Sequence, residues 1–415
     1  MGGKAMEQRR RMVSRRGLLK GAAGAAAGWM IVPRHVLGQG QAPPSETFGG
    51  ALIGCGGRGG GTYGELSKEL NVVRLAECDV RFKDRADNKK IYTDFRRLLD
   101  RKDIDLVAIA TPPHWHALIS IAAAEAGKDV LCEKPMTRFI AEGRAVVEAF
   151  KRYNRIFQVG TFGRFGMSGK KDNVLIHKIM RSGLVKDCKA VYYQRGGLKV
   201  KEWSGLVNVT PQPIPRNLDW DMYCGPSPLR PYHPHRVGGT HRGYWDYEGG
   251  GLADMGQHAL DPINWLYGKD DTGPVEVEAY APPAHPEATG MWGWVKLRYA
   301  DGFQIVLESG EWGEPLEGIK GRQVKLSDLS EEDQKKVLEM PDPEPLRTFA
   351  EAVKTRKPAG GNPEAANRTA ALMHLSNIAI RMGRKIRFDP VKEQILGDDE
   401  ANRLVNQPMR APWHL

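Results

Sequence analysis

The chain has 415 residues, enough for two domains with separate cores, and its 41% hydrophobic and 8% aromatic content excludes an intrinsically disordered protein. The formal net charge is +11, of which residues 1–40 contribute +7 through eight Lys or Arg and one Glu. The other +4 is ordinary and shows no basic stripe interleaved with aromatics, which argues against a nucleic-acid-binding protein.

The first forty residues have the layout of an export signal. A basic stretch ends in "SRRGLLK", which resembles the twin-arginine motif S-R-R-x-F-L-K with Leu18 in place of Phe. The apolar stretch that follows, residues 21–32, is too short to cross a roughly 30 Å hydrocarbon core and has the size of a signal h-region. The alternative is a disordered basic tail. We therefore predict a twin-arginine signal peptide over residues 1–40, folded-state export to the periplasm, and no stable membrane insertion after its removal.

A glycine-rich turn follows the first apolar run of the remaining chain. Residues 54–59 read G-x-G-x-x-G: Gly54 permits a tight turn, Gly56 lets the backbone approach a pyrophosphate, and Gly59 lets the next helix pack closely. A flexible glycine-rich loop would look similar. A second apolar run, however, ends at Asp79, where an acid can accept hydrogen bonds from the ribose hydroxyls of NAD. Arg81 can instead meet a 2′-phosphate, so NADP stays possible.

Two further apolar runs, over residues 104–110 and 129–132, have the continuous character of buried parallel strands. Ligands bind beyond the carboxyl ends of the strands in doubly wound sheets, so the turns after these runs should share one crevice. We predict that the following residues form the dinucleotide site: Gly54, Cys55, Gly56, Gly57, Arg58, Gly59, Asp79, Arg81, Ala110, Thr111, His114, Trp115, His116, Glu133 and Lys134.

The motifs "GCGGRG", "ATPPHWHA" and "CEKPM" resemble the superfamily of glucose–fructose oxidoreductase, inositol dehydrogenase and MocA, over nearly the whole chain after the signal. The resemblance implies an α/β protein: a doubly wound parallel Rossmann sheet over residues 41–165, then an α+β domain over residues 166–345. C-terminal helices and a tail over residues 346–415 would pack back on both domains. The second domain would hold an open, mostly antiparallel sheet, which fits the alternating runs between residues 274 and 310. Relatives make subunit contacts through that sheet, so a homo-oligomer is expected.

A helix with functional side chains is predicted after Gly249-Gly250-Gly251. Asp254 and His258 are four residues apart and share one helix face, which by itself fits an ordinary surface pair as well as a proton relay. The resemblance implies the relay. His258 would be the general acid/base on a sugar hydroxyl, Asp254 would orient its ring, and Lys134 would lie beside the nicotinamide.

The same segment supplies candidate substrate contacts and candidate metal ligands. Residues near the presumed site in sequence with side chains suited to a sugar or its carboxylate are Arg164, Arg242, Trp245 and Tyr247. The histidines between residues 233 and 241 flank a proline and have no nearby cysteine, so we predict no metal site. The five cysteines lie far apart without a C-x-x-C pair, and we expect small buried hydrophobic side chains there.

Export and a dinucleotide fold are compatible if the protein carries its cofactor with it, since no NADH pool exists outside the cytoplasm. We therefore predict an NAD(P)-dependent oxidoreductase that transfers a hydride at a carbinol carbon of a sugar or sugar derivative and recycles a tightly bound cofactor. Two alternatives stay open. One is an NAD-dependent glycosidase or lyase that oxidises its substrate transiently, and the other is a non-catalytic carbohydrate-binding relative.

Overall fold

A six-stranded parallel sheet, in the order β3-β2-β1-β4-β5-β6, organises the N-terminal half of a computed structural model that describes residues 47–85, 88–185 and 187–415. The predicted signal peptide lies outside the described residues. The strands are β1 (Thr47–Ile53), β2 (Asn71–Cys78), β3 (Ile91–Tyr92), β4 (Leu106–Ile109), β5 (Asp129–Cys132) and β6 (Phe157–Val159). Both β4 and β5 are buried along their whole length, which is why the sequence shows continuous apolar runs there.

The register of the central strands decides where the site forms. Ile53 of β1 pairs with Ile109 of β4, which in turn pairs with Cys132 of β5. The three strands therefore end at the same level, and the residues that follow them meet at one edge of the sheet. The helices of this half are α1 (Gly59–Ser67), α2 (Phe95–Leu99), α3 (His116–Glu125) and α4 (Ile140–Arg152).

The second half is built on another six-stranded sheet, in the order β12-β11-β8-β9-β10-β7. Its strands are β7 (Val191–Arg195), β8 (Glu276–Tyr280), β9 (Trp294–Arg298), β10 (Gln304–Glu308), β11 (Ile386–Asp389) and β12 (Gln394–Ile395). All pairings are antiparallel except that of β7 with β10. The predicted fold class is thus confirmed, with a parallel first sheet and an open, mostly antiparallel second one.

The helices of the second half follow β6 in the chain. They are α5 (Gly163–Ser168), α6 (Lys171–Arg181), α7 (Trp220–Cys224), α8 (Gly250–Leu266), α9 (Glu331–Glu339), α10 (Phe349–Thr355), α11 (Pro363–Met382) and α12 (Asp399–Asn402). The long α11 is buried over most of its length and contacts α4, α8 and β8. Residues 328–340 are mostly charged and polar, but they contain α9, whose Val337 side chain is fully buried.

Four of the cysteines, Cys78, Cys132, Cys188 and Cys224, are buried free thiols as expected, and Cys55 is half-buried. Burial raises the pKa of the Cys55 thiol to about 12, so it is not a reactive thiolate at neutral pH. Within the described ranges, no helix is both long and apolar enough to cross a bilayer. In the same part of the chain, no three His, Cys, Asp or Glu side chains form a group that could hold a metal ion.

Candidate active site

The glycine turn after β1 has the backbone conformation that the motif predicts. Gly54 has φ +89°, and a Cβ there would stand 2.6 Å from the carbonyl of Ala110, so glycine is required for this approach of the two strand ends. At Gly57 and Gly60, by contrast, a Cβ would meet only open space. The turn therefore presents free backbone surface at Gly57 and Gly60, next to the N-terminus of α1, which carries no acid in its first turn, whereas the Arg81 side chain lies against Gly56. This cradle fits the pyrophosphate of a dinucleotide.

Asp79 directly follows β2 and lies against the glycine turn. Its buried carboxylate accepts a hydrogen bond of 2.8 Å from the Cys55 amide and a fork from Arg81, whose Nε and Nη2 lie 2.9 and 2.8 Å from the two oxygens. Burial raises the pKa of the Asp79 carboxyl, but the hydrogen bonds from Arg81 outweigh burial and hold the pKa below its usual value. Arg81 thus balances the negative charge of the Asp79 carboxylate, which stays ionised.

Replacement of Asp79 with Ala should weaken NAD binding about tenfold or more, because charge-assisted hydrogen bonds to the ribose are lost. The change also frees the Arg81 guanidinium for a 2′-phosphate, so discrimination against NADP should relax. Fluorescence titration with both cofactors measures this, and Arg81→Met in the Asp79→Ala background is the matched control that should abolish any gain for NADP. A wild-type protein that binds NADP tenfold more tightly than NAD would contradict the assignment.

Glu133, directly after β5, ties the glycine turn to the neighbouring strand. Its Oε1 accepts hydrogen bonds from Arg58 Nε at 3.0 Å and from Thr62 Oγ1 at 2.9 Å, and its Oε2 accepts one of 3.2 Å from the Lys134 amide. Glu133 is buried, whereas the Arg58 side chain is 57% exposed. The predicted cofactor residues Arg58 and Glu133 are therefore brought together, with the guanidinium on the open side of the crevice.

Lys134 and Asp254 form the centre of the site, across the interface between the two halves. Lys134 Nζ lies 2.5 Å from Asp254 Oδ1 and 2.9 Å from the Asp254 carbonyl. Arg242 Nε donates to the same Oδ1 at 2.6 Å. Burial raises the pKa of the Asp254 carboxyl, but the charges of Lys134 and Arg242 prevail and lower it. An ammonium has three N–H donors, so two on Asp254 leave one for a substrate oxygen.

His258 stands one turn further along α8 and is exposed at the crevice. Partial desolvation of the ring and then the charge of Lys134 lower its pKa, against the opposing effects of Glu133 and Asp254. The i, i+4 prediction placed these residues on one face correctly. The Asp254 carboxylate, however, is bound to Lys134 and Arg242, and within the described residues no hydrogen bond joins it to His258. The imidazole is neutral near pH 7 and free to accept a proton.

The pKa of His258 should lie below that of an unperturbed imidazole, about 6.5. Lys134→Met removes a cation that repels the protonated ring, and it also leaves more of the negative charge of Asp254 unbalanced. Both changes should raise the pKa of His258. NMR titration of the ring protons reports both values independently of activity. The neutral base should persist as the pH falls and disappear only below the depressed pKa. A pKa above that of free imidazole in the wild type, or no rise in the variant, would contradict this electrostatic coupling.

The turn after β4 is oriented differently from the prediction. His116 bridges the carbonyls of Thr111 and Pro135 at 2.8 and 2.7 Å, and His114 Nε2 lies 2.8 Å from the Tyr223 carbonyl. Trp115 Nε1 donates to the carbonyls of residues 222 and 223. All three side chains are buried. These side chains therefore hold the strand ends and α7 in place and do not extend into the cofactor crevice. Ala110 and Thr111 are half-buried at the end of β4.

Of the four predicted substrate side chains, Arg242 reaches the site and the others do not. Arg164 is fully buried, with Nη2 2.6 Å from Asp261 and Nη1 3.0 Å from Asp270, so it belongs to an internal ion network. Tyr247 is also fully buried, with its ring 4.9 Å from that of His114. Trp245 Nε1 donates to the His285 carbonyl, and its ring lines a separate pocket on α8.

Glu248 lies near the site but is not among the residues predicted from the sequence. It is buried directly before the glycine turn of α8, with Oε2 3.2 Å from His241 Nε2 and 3.9 Å from Arg242 Nε. Its Oε1 has no hydrogen-bond partner among the described residues. Its position in the sequence could have indicated this role, because an acid directly before Gly249-Gly250-Gly251 lies at the same end of α8 as Asp254.

Comparison with family models matches both halves of the chain. Residues 50–161 match the GFO_IDH_MocA model described as an oxidoreductase family with an NAD-binding Rossmann fold. Residues 170–415, more than half of the chain, match the C-terminal alpha/beta domain of that family. Among solved structures, the WlbA dehydrogenase from Chromobacterium violaceum, in complex with NADH and UDP-GlcNAcA, covers 87% of this chain and 99% of its own, with TM-score 0.52 and 16% identity. That likeness shows the fold.

Curated relatives match over shorter stretches. A levoglucosan dehydrogenase from Pseudarthrobacter phenanthrenivorans is 49% identical over 177 residues, 43% of this chain and 36% of that protein. A glycosyl hydrolase family 109 protein from Solibacter usitatus is 32% identical over 151 residues, 31% of this chain and 34% of that protein. The chain thus spans about a third of the length of these two relatives.

Proposed function

Because the chain belongs to the Gfo/Idh/MocA oxidoreductase family, we propose that it is an NAD-dependent oxidoreductase that acts on a sugar or sugar derivative. The observation that supports the proposal is the contact of Lys134 with Asp254, which lies one turn before His258 on α8. Titratable groups with shifted pKa values that meet in a crevice support a catalytic role there.

The cofactor would be held by residues whose geometry fits it. The glycine turn and the first amides of α1 would bind the pyrophosphate, and Asp79 would bind the adenosine ribose. Glu133 would contact the cofactor at the end of the crevice nearest Lys134. When bound, NAD accepts a hydride from a carbinol carbon of the substrate. The remaining requirement is that the hydroxyl of that carbon loses its proton, and this task falls to residues of the chain.

His258 is the proposed base, because its ring is neutral near pH 7 and exposed at the crevice. The third N–H of Lys134 would donate to the reacting oxygen and stabilise negative charge there as the proton leaves. Asp254 fixes the ammonium through two contacts and is itself held by Arg242. In the reverse direction His258 would return the proton.

A sugar panel on purified protein tests this function. Levoglucosan and myo-inositol should be tried first, since relatives are named for these substrates. A denatured extract analysed by mass spectrometry should contain NAD or NADH, because we propose a tightly held cofactor. A protein that carries no nicotinamide and oxidises no sugar when NAD is supplied would contradict the proposal.

A second reaction class is favoured by one observation, the likeness to the glycosyl hydrolase family 109 protein. Such a reaction would oxidise the sugar transiently, cleave a glycosidic bond or eliminate a group, and return the hydride. Product analysis separates the two classes. Net oxidation leaves reduced cofactor or a second reduced sugar, whereas redox-assisted cleavage releases the leaving group with no net change in NAD.

We also propose that the protein is exported in its folded state through the twin-arginine route. Support comes from the sequence of residues 14–20 and the apolar stretch after it. Replacing both Arg15 and Arg16 with Lys should leave folded, cofactor-bearing precursor in the cytoplasm, as measured by fractionation and immunoblotting. Lys substitution of Arg9 and Arg10 is the matched control. Normal export of the first double variant would show that another machinery reads this signal.

The second sheet is the proposed surface for a homo-oligomer. Tyr280 is 40% exposed at the end of β8, and its ring lies 5.9 Å from that of Trp294 on β9. Exposed aromatics on an open sheet are suited to subunit contacts. Light scattering should give a mass larger than one chain, and Tyr280→Glu should reduce it.

A further inference from the structure

A small pocket lined by two arginines lies beside the N-terminus of α8, next to Pro135. The segment after Pro135, the start of α8, the C-terminal half of α11 and the chain after α12 enclose it. Its polar or charged lining residues are Thr137, Arg138, Glu248, Asn377, Arg381 and Gln407. The cavity volume of about 30 Å³ is a few times the ~10–15 Å³ that one water needs by the same measure. It therefore has room for a small oxyanion and too little for a sugar ring.

The two arginines of this pocket lack the partners that buried guanidinium groups usually have. Arg138 is 8% exposed; its Nη1 binds Ser227 Oγ at 2.8 Å and the Asp246 carbonyl, but its Nε is buried without a hydrogen-bond partner in the described part of the chain. Arg381 lies 5.0 Å above the Trp245 ring. Among the described residues, no carboxylate forms an ion pair with either guanidinium.

The nearby acids make other hydrogen bonds, although Glu142 Oε1 is buried without a partner among the described residues. Asp246 Oδ2 accepts from Arg230 Nε at 2.8 Å, and Glu142 Oε2 accepts from the amides of residues 138 and 139. Burial, and then the charge of Arg138, lower the pKa of Arg381 to about 10. The two guanidinium groups thus face a cavity whose lining holds one carboxylate, Glu248, which forms no ion pair with either of them in the described part of the chain. His374 in the same lining is neutral because burial lowers its pKa to about 3.

Glu248 adds a further constraint on what can bind. It lines the pocket, and its Oε1 is buried without a partner, so it would repel a ligand that offers only acceptor oxygens. A ligand that also carries an O–H can donate to Glu248 while it accepts from the guanidinium groups. Hydrogenphosphate and a 2-hydroxycarboxylate share this combination.

We propose that the Arg138–Arg381 pocket binds a small oxyanion that bears a hydroxyl group, at a site separate from the sugar-oxidising centre. The guanidinium groups supply charge-assisted donors to the oxyanion, and Glu248 accepts from its hydroxyl. Glu248 also lies against His241 and Arg242, and Arg242 binds Asp254. Two side chains, Glu248 and Arg242, therefore connect the pocket to Asp254.

Calorimetric titration of the full chain, saturated with NAD so that the glycine turn is filled, tests the proposal. Inorganic phosphate and glycolate are the probes, and acetate, which lacks the hydroxyl, is the matched comparison. Saturable binding of either probe, with acetate severalfold weaker, is expected. Phosphate alone would identify a phosphate ligand, and glycolate alone a hydroxycarboxylate.

Arg381→Gln should weaken binding of the active probe about tenfold or more, the loss of one charged hydrogen bond. Arg216→Gln removes the same charge from an exposed loop and should leave binding unchanged. Arg138→Lys keeps a charge but loses the planar fork and should also weaken binding, which keeps the test valid if one variant folds poorly. Absence of saturable binding, equal affinity for acetate and glycolate, or unchanged binding in folded Arg381→Gln would overturn the proposal.

Discussion

Replacement of Lys134 with Met, or of His258 with Ala, is expected to slow hydride transfer from an active sugar about 10²–10⁴-fold while NAD remains bound. A sugar hydroxyl holds its proton firmly at neutral pH, so both the base and the cation that stabilises the developing alkoxide are required. NAD should stay bound because its proposed contacts are the glycine turn, Asp79 and Glu133. Single-turnover absorbance of the reduced nicotinamide measures the rate, and mass spectrometry measures cofactor content.

The double variant should lose far less than the product of the two single losses, since the residues act as one unit. Lys335→Met, which removes an exposed lysine on α9, is the matched control and should retain the wild-type rate. A near-wild-type rate in either single variant would remove that residue from the mechanism and favour a carbohydrate-binding role.

Replacement of Arg164 with Met should destabilise the fold by about 3–5 kcal/mol, because it leaves buried Asp261 without its cation. Arg164 is fully buried and joins α5 to α8 through Asp261, to Asp270, and to the Gly360 carbonyl. Denaturant unfolding followed by circular dichroism measures the change. Since Arg164 does not reach the crevice, KM for an active sugar should be unchanged in the protein that remains folded.

Arg181→Met is the matched control for this variant. Arg181 pairs with Asp271 at 2.6 Å, but both side chains are about half exposed, so the change should cost ~0–1 kcal/mol. A folded Arg164→Met protein of wild-type stability with a raised KM would restore the substrate role that the sequence suggested.

The parts of the fold that the sequence predicts best are those with a local pattern. The buried strands β4 and β5 are continuous apolar runs in the sequence, and G-x-G-x-x-G marks the turn after β1. The sequence alone is therefore enough to locate the crevice. β7 was not predicted, because its residues are mostly half-buried and its parallel partner β10 lies more than a hundred residues away. No local periodicity encodes that pairing.

Side-chain direction was the main source of error in the site. The positions of Asp254 and His258 follow from helix geometry, but the partner of Asp254 proved to be Arg242 together with Lys134. Arg164 was assigned to substrate because an arginine near the site can meet a carboxylate, and nothing in its neighbourhood reveals that Asp261 lies beside it after folding. Burial and long-range ion pairing thus decide side-chain roles that sequence proximity leaves open.

The claim that Lys134 and His258 carry proton removal during sugar oxidation is tested most directly by one rapid-mixing experiment. NAD-loaded wild-type protein is mixed with an active sugar across a pH series, and the appearance of reduced nicotinamide is followed in a single turnover. We expect a rate that falls at low pH with an apparent pKa below about 6.5. In His258→Ala, most of the rate and its fall at low pH should be lost. The same pH-dependent rate in His258→Ala and in the wild type would contradict it.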